Sequence, residues 1–431
     1  MNIPIKYSLL TSLFLLFSCI TTKTGTHKNA GAPGQKPLAK NIVLMIVDGM
    51  GFEHIKAARI YNGQKPFNYE QFTCKTNVST CSFEGADAEG RCREGTSDIT
   101  DSAAAATVMA TGVKVKNGAI SRGLPLYPGD LETLVEYKKH FGQSTGIVAT
   151  KLFTDATPAA FVSHADDRHQ TEEILKDMFY GAKPNLVLGA DTTLHRVVAQ
   201  SSKAPYRMVY TAADLALLAQ DIHKGPSCSG SNCPFVYGGF GLYDMIPGVY
   251  ENKAGLPLEI TPSSQFSALG IPHLSEMTDA ALKILSKNDQ GFFLMVESSM
   301  PDMISHYNTQ IDGNERAPKA IEVLIREMLE VEKTAQVLEN FARNNPDTLV
   351  IVTADHETGG LFVQEDKTAC LSEQSCVPEV RWTSPKYEDT ESSASKHTPV
   401  DVPLYAFGRG AERFCQERIN NTDIHDILVG K

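Results

Sequence analysis

A chain of 431 residues, 42% apolar and 21% charged, can bury a core sufficient for one large globular domain or two modest ones. Its net charge of −11 argues against nucleic acid as a partner, because such surfaces rely on clustered lysine and arginine. The same charge does not exclude an anionic small substrate, since bound metal ions set the field of their own site.

Residues 1–18 read as a targeting segment. Lys6 gives a weak positive start, and the apolar run Tyr7 to Phe17 is too short to span a bilayer but suits a signal peptide. It ends in Leu16-Phe17-Ser18-Cys19, which resembles a bacterial lipobox with Cys19 as the lipidated first mature residue. An ordinary signal peptide cut nearby is the alternative, and either way the chain is expected to be exported. With the anchor, it is expected on a membrane facing the periplasm or the cell surface. Residues 19–37 are rich in Thr, Gly, Lys, Ala and Pro and read as a flexible tether to a domain over 38–431. Apart from Cys19, eight cysteines remain, an even number that suits disulfides in an exported chain. Cys228–Cys233 and Cys370–Cys376 are close enough to staple small loops. Among Cys74, Cys81, Cys92 and Cys415, the pair Cys81–Cys92 is expected. Thiolate zinc binding is the competing reading, but no Cys-x-x-Cys occurs.

Further along, Asn41 to Val47 reads as a buried strand, and so do Ser144 to Thr150, Asn185 to Leu188, Gly291 to Val296, Thr348 to Thr353 and Pro403 to Phe407. Helical patterns lie between them at Leu131 to Phe141, Met277 to Ser286 and Pro318 to Asn344. Apolar strands alternating with helices predict an α/β fold, a large and mostly parallel sheet covered on both faces in three α/β/α layers. Gln364 to Lys396 is polar, lacks periodicity and reads as an insertion of about residues 364–396 outside the sheet.

Chemistry-bearing residues cluster just after the strands, where sites form in such sheets. Asp48-Gly49-Met50-Gly51 follows the first strand, placing a carboxylate at the sheet edge beside glycines that permit close approach. Thr100-Asp101-Ser102 precedes four alanines that start a helix, so Asp101 or Ser102 sits at its N-terminus. Free amides and the helix dipole favour an anion there. A serine at that place can be a nucleophile, or simply a cap. Asp155-Ala156-Thr157-Pro158 offers a hydroxyl suited to magnesium, and Arg168 a planar fork for two phosphate oxygens. Glu297 follows a strand, and Asp302 and His306 stand four apart, so one helical turn puts a carboxylate and an imidazole on one face, a pair suited to zinc. Asp355-His356 again follows a strand, and His397 precedes the last one. Each feature alone also fits a turn, a cap or a surface charge.

Taken together and in this order, the motifs resemble the alkaline phosphatase family. The matching stretches are Asp101-Ser102-Ala-Ala-Ala-Ala-Thr107, Asp155-Ala-Thr157-Pro with Arg168, Glu297-x4-Asp302-x3-His306, Asp355-His356-Glu-Thr-Gly-Gly360 and His397-Thr398, spread from Asp48 to His397. The resemblance implies two zinc ions and one magnesium per subunit. Asp302, His306 and His397 would hold the first zinc, and Asp48, Asp355 and His356 the second, beside the nucleophile Ser102. Asp48 would also bridge to magnesium with Thr157 and Glu297, with Asp155 nearby. Arg168 would clamp the phosphate, with Asp101 beside it. The implied reaction is hydrolysis of phosphate monoesters at alkaline pH through a phosphoserine, and the implied assembly is a homodimer. A phosphodiesterase or phosphonate hydrolase of the same superfamily is the nearest rival, and a non-catalytic phosphate-binding lipoprotein a distant one. Some bacterial members carry Lys directly after the aspartate matched to Asp302. Met303 stands there in this chain, so a positive charge near the phosphate is expected to be missing, with weaker product inhibition and an altered pH optimum.

Overall fold

The computed structural model describes residues 38–241, 270–308, 312, 319–372, 375–384 and 396–431. The expected signal peptide, Cys19 and the tether lie outside the described residues.

In chain order the strands are β1 (Asn41–Val47), β2 (Cys74–Ser79), β3 (Ser144–Leu152), β4 (Leu186–Ala190), β5 (Tyr206–Val209), β6 (Phe235–Gly239), β7 (Phe292–Ser298), β8 (Thr348–Thr353), β9 (Glu357–Thr358), β10 (Leu361–Ser372), β11 (Ser375–Trp382), β12 (His397–Thr398), β13 (Val402–Gly408) and β14 (Arg418–Asn420). Ten of them form one sheet in the order β14-β2-β13-β8-β1-β7-β3-β4-β6-β5. β1 lies between β7 and β8, parallel to both, and the parallel run continues through β3, β4, β6 and β5. β13 runs against its neighbours β8 and β2, while β14 follows β2.

Every residue of β1, β7 and β8 is buried, which requires cover on both faces. Helices Phe52–Tyr61, Ala212–Lys224, Leu274–Leu285 and Ala320–Asn344 form one packed group. Helices Ser102–Thr111, Leu134–His140, Ala156–Val162 and Asn421–Leu428 form another. This is the three-layer α/β/α sandwich expected from the sequence.

Boundaries moved where local chemistry decides them. The helix expected from Leu131 begins at Leu134, because Thr133 accepts from the Glu136 amide at 3.2 Å while the Glu136 carboxylate accepts from the Thr133 amide at 2.9 Å. β7 runs to Ser298, so Glu297 is a strand residue and not the first residue after one. β2 was not expected: CKTNVS alternates buried and exposed positions and carries too little apolar sequence to stand out.

β10 and β11 form an antiparallel hairpin outside the main sheet, packed on helix Phe52–Tyr61. The expected insertion from Gln364 thus starts inside a strand that opens at Leu361; residues 373–374 and 385–395 lie outside the described residues. Disulfides join Cys81 to Cys92 and Cys228 to Cys233 as expected, and Cys74 to Cys415 across the sheet edge. Cys376 is also disulfide-bonded, and the hairpin register sets it opposite Cys370. Among the described residues no helix is long and apolar enough to cross a membrane.

Candidate active site

Parallel pairing brings the C-terminal ends of β1, β3, β7 and β8 to one edge, and the functional side chains hang from them. Asp48 follows β1, Glu297 is the penultimate residue of β7, Asp355 and His356 follow β8, and Asp155 lies just past β3. The turn after β1 needs a glycine: Gly49 has φ +76°, its amide donates to Asp355 Oδ1 at 3.2 Å, and a Cβ there would stand 2.6 Å from the Asp302 Cα. Two segments remote in sequence meet at that contact.

Asp48, Asp355 and His356 form one buried group, and Asp302, His306 and His397 form a second; within each, one ligand atom per residue lies within 4.8 Å of the others. In the first, His356 Nε2 is 3.2 Å from Asp355 Oδ2 and 3.7 Å from Asp48 Oδ1. In the second, Asp302 and His306 share the short helix Met300–His306, which puts His306 Nε2 at 3.3 Å from Asp302 Oδ1. His397 arrives on β12, paired with β9, and its Nε2 is 3.0 Å from that of His306 and 3.5 Å from Asp302 Oδ1. His397 Nδ1 lies 3.0 Å from the Thr100 carbonyl, an acceptor only, so Nδ1 carries the proton and Nε2 is left with its lone pair. Convergent imidazole nitrogens and a carboxylate are a donor set for a cation.

Ser102 opens helix Ser102–Thr111, and Asp101 is its N-cap, accepting from the Ala104 amide at 2.9 Å. All ten residues of that helix are buried. Its alanines allow close packing on helix Ala156–Val162, and Gly112 (φ +74°) ends it where a Cβ would meet the His425 ring at 2.6 Å. Ser102 Oγ lies 3.2 Å from His356 Nε2, which places it at the first group.

Arg168 reaches Asp101 Oδ2 with Nη1 and Asp155 Oδ1 with Nη2, each at 3.3 Å. The Asp101 carboxylate therefore works as cap and arginine anchor. Its amide is also committed, to Asn117 Oδ1 at 2.9 Å. Thr157 Oγ1 stands 3.5 Å from Asp48 Oδ2.

The electrostatics show what the first group lacks. Asp48 Oδ1, Glu297 Oε2 and Asp355 Oδ2 are buried without a hydrogen-bond partner among the described residues. Burial, and then the neighbouring carboxylates, push Asp48 well above the usual carboxylate range, Glu297 up to about 8 and Asp355 to about 6. Orphaned carboxylate oxygens in a dry site are stable as anions only beside cations. Burial also raises Asp302, but His306, His397 and His356 outweigh it and hold Asp302 well below the ordinary value. The residues present thus fit metal ions: the two sets that combine imidazole with carboxylate suit zinc, and the all-oxygen set of Asp48, Thr157 and Glu297 suits magnesium.

Two residues were not singled out from the sequence. Thr358 Oγ1 donates to Asp302 Oδ1 at 2.5 Å and faces His356 Nδ1 at 3.3 Å, so one hydroxyl ties the two groups together and fixes the His356 tautomer. It stands within the quoted Asp355-to-Gly360 stretch and could have been read as a companion of His356. Lys151, near the end of β3, reaches Asp155 Oδ2 at 2.6 Å and Met303 Sδ at 3.5 Å. Met303 therefore does not leave its corner without positive charge: the lysine arrives from another strand. A cation four residues before Asp155 was the only signal.

Such a site, on a parallel sheet edge, belongs to hydrolases of phosphate esters. The description "alkaline phosphatase" attaches to the family profile that matches residues 39–185 and 244–395. The chain is 27% identical to alkaline phosphatase 4 of Bacillus subtilis, covering 94% of this chain and 91% of that one. It is 29% identical to the alkaline phosphatase of Escherichia coli, covering 86% and 81%. Among solved structures, a His-to-Asp mutant of TAB5 alkaline phosphatase with Mg bound in the M3 site superposes with a TM-score of 0.66 at 26% identity, covering 92% of this chain and 98% of that one. The chain belongs to the alkaline phosphatase family, and it is a phosphatase.

Proposed function

We propose that the protein hydrolyses phosphate monoesters at alkaline pH through a phosphoserine on Ser102, with two zinc ions and one magnesium per subunit. The observation that carries this reading is the place of Ser102 Oγ, at the buried start of a helix and 3.2 Å from the His356 nitrogen. Asp302, His306 and His397 would hold one zinc, Asp48, Asp355 and His356 the other, and Asp48, Thr157 and Glu297 the magnesium. When bound, these ions supply Lewis acidity: they ease ionisation of the serine, neutralise the phosphoryl oxygens and stabilise the leaving alcohol oxygen. A TAB5 alkaline phosphatase mutant with Asp in place of a His has Mg bound in its M3 site, which supports magnesium as one of the ions here.

Ser102 Oγ attacks phosphorus and the bond to the alcohol oxygen breaks. Water then attacks phosphorus, the bond to Ser102 Oγ breaks, and inorganic phosphate leaves. Arg168 is held between Asp101 and Asp155, from where its fork would grip the non-bridging oxygens. Glu297 and Thr157 favour the monoesterase over a diesterase, because they would complete with Asp48 a third cation site that two-zinc diesterases do not need.

We further propose export, a lipid anchor on Cys19 and a homodimer. The disulfides support an oxidising compartment. Rates on an aryl phosphate and its methyl diester, measured on purified protein of known metal content, test the assignment. The monoester should be strongly preferred, and Ser102→Ala should cut its turnover by about 10⁴-fold or more while metal content is kept. Equal rates on both esters, or an active Ser102→Ala with full metal content, would sink the reading.

A further inference from the structure

We propose that Lys151 is a positioning residue for phosphate binding: it holds Asp155 so that the Arg168 fork stays available to the phosphate, and it adds a second fixed cation to the rim. The inference rests on the monoesterase reading above.

The geometry divides Asp155 between two cations. Oδ2 takes Lys151 Nζ at 2.6 Å, whereas Oδ1 meets Arg168 Nη2 at only 3.3 Å. Charge-assisted bonds are normally about 2.7–2.9 Å, so lysine has the strong contact and arginine the loose one. Arg168 is equally loose on its other side, 3.3 Å from Asp101 Oδ2, whose carboxylate is also engaged by the Gly118 and Ala104 amides. The fork is therefore centred but not saturated. Without Lys151, Asp155 would have Arg168 as its remaining strong partner, and a planar guanidinium closing on a carboxylate in bidentate fashion would be lost to the phosphate.

Lys151 also faces the right way. Its ammonium is 3.5 Å from the Met303 sulfur, next to the ligand Asp302, and its field opposes the mutual repulsion of the buried Asp48 and Glu297. Among the described residues, Lys151 and Arg168 are the cationic side chains at this group of carboxylates. The lysine side chain is about one-fifth exposed at a strand end, so its replacement leaves the core untouched.

Isothermal titration of inorganic phosphate into metal-loaded protein gives the test. Lys151→Met should weaken phosphate binding by about tenfold or more, the scale of losing one charge at this depth. Lys151→Arg should stay within about threefold of wild type, and Lys151→Met combined with Met303→Lys should recover most of the loss, because the charge returns from the neighbouring helix. A merely structural lysine would not be rescued from a different segment. Unchanged phosphate binding in Lys151→Met overturns the inference, as does a double variant as weak as the single one. Loss of magnesium in step with phosphate affinity also overturns it, placing the effect in the metal site. If wild type itself binds no phosphate, the monoesterase reading fails first and takes this one with it.

Discussion

The floor and the rim of the site handle charge in opposite ways. On the floor, Asp48, Glu297 and Asp355 bury oxygens that no hydrogen bond among the described residues satisfies, and burial drives all three toward the protonated form. At the rim, Asp101, Asp155, Lys151 and Arg168 satisfy one another, each with its side chain 21–25% exposed. Lys151 and Arg168 hold Asp155 at about 2 against the opposing effect of burial. The floor has the unsatisfied oxygens that cations would complete, and the rim is complete yet loose enough to exchange partners. Removing the floor's ligands should therefore abolish function, while changes at the rim should grade it.

Chelation breaks the comparison most severely. Stripping metal from loaded protein should reduce phosphatase activity to background and lower the unfolding midpoint by about 5 °C or more, because the ions bind the native state alone. Full activity after verified removal of metal would show that the orphaned oxygens have another purpose.

Arg168→Lys comes next. Charge is kept, but the fork held between Asp101 and Asp155, proposed to grip the phosphate, is lost, so kcat/KM should fall by about 100-fold with metal content unchanged. A fall under threefold would make Arg168 a structural ion pair.

The same contrast explains how much could be read in advance. The strands that place the floor announce themselves as unbroken apolar runs ending in a carboxylate, as in NIVLMIV before Asp48 or TLVIVT before Asp355. Parallel pairing of such runs then forces their polar ends together. Lys151 and Thr358 were missed for a physical reason: each acts by a contact to a residue from another segment, Met303 and Asp302 respectively, and no local pattern encodes that meeting. The Cys74–Cys415 bridge, 341 residues apart in sequence, is hidden for the same reason. β2, paired between β14 and β13, gave little signal because its sequence alternates buried and exposed positions and holds little apolar surface.

Thr358→Val tests the joint between the two zinc-type groups. The hydroxyl that donates to Asp302 and faces His356 Nδ1 is replaced by a methyl of the same shape. Apparent zinc affinity should drop by about tenfold, within the range for residues that orient ligands, while the fold persists. An unchanged zinc titration would leave Thr358 as a packing residue.

The smallest effect concerns stability against pH, and floor and rim should show opposite signs. In the metal-free folded protein Glu297 keeps its proton up to about 8 and Asp355 up to about 6, whereas the unfolded chain sheds both near the ordinary values of 4.5 and 3.8. Between those limits the folded state binds more protons, so metal-free stability should decline as pH rises from about 5 to 8. Asp155 works the other way: its value is lowered, so its contribution is present above the ordinary 3.8 and disappears only as pH falls toward 2. Glu327, buried on helix Ala320–Asn344 and likewise raised to about 8, adds to the decline; burial and Glu330 raise it rather than the metal-type carboxylates, so metal should leave its share unchanged. Urea midpoints with and without zinc and magnesium separate the two sources. The metal-loaded protein should lose the floor's share of the slope, since ions hold Glu297 and Asp355 ionised. Parallel curves for the two forms would mean that the buried carboxylates are not where the metal binds.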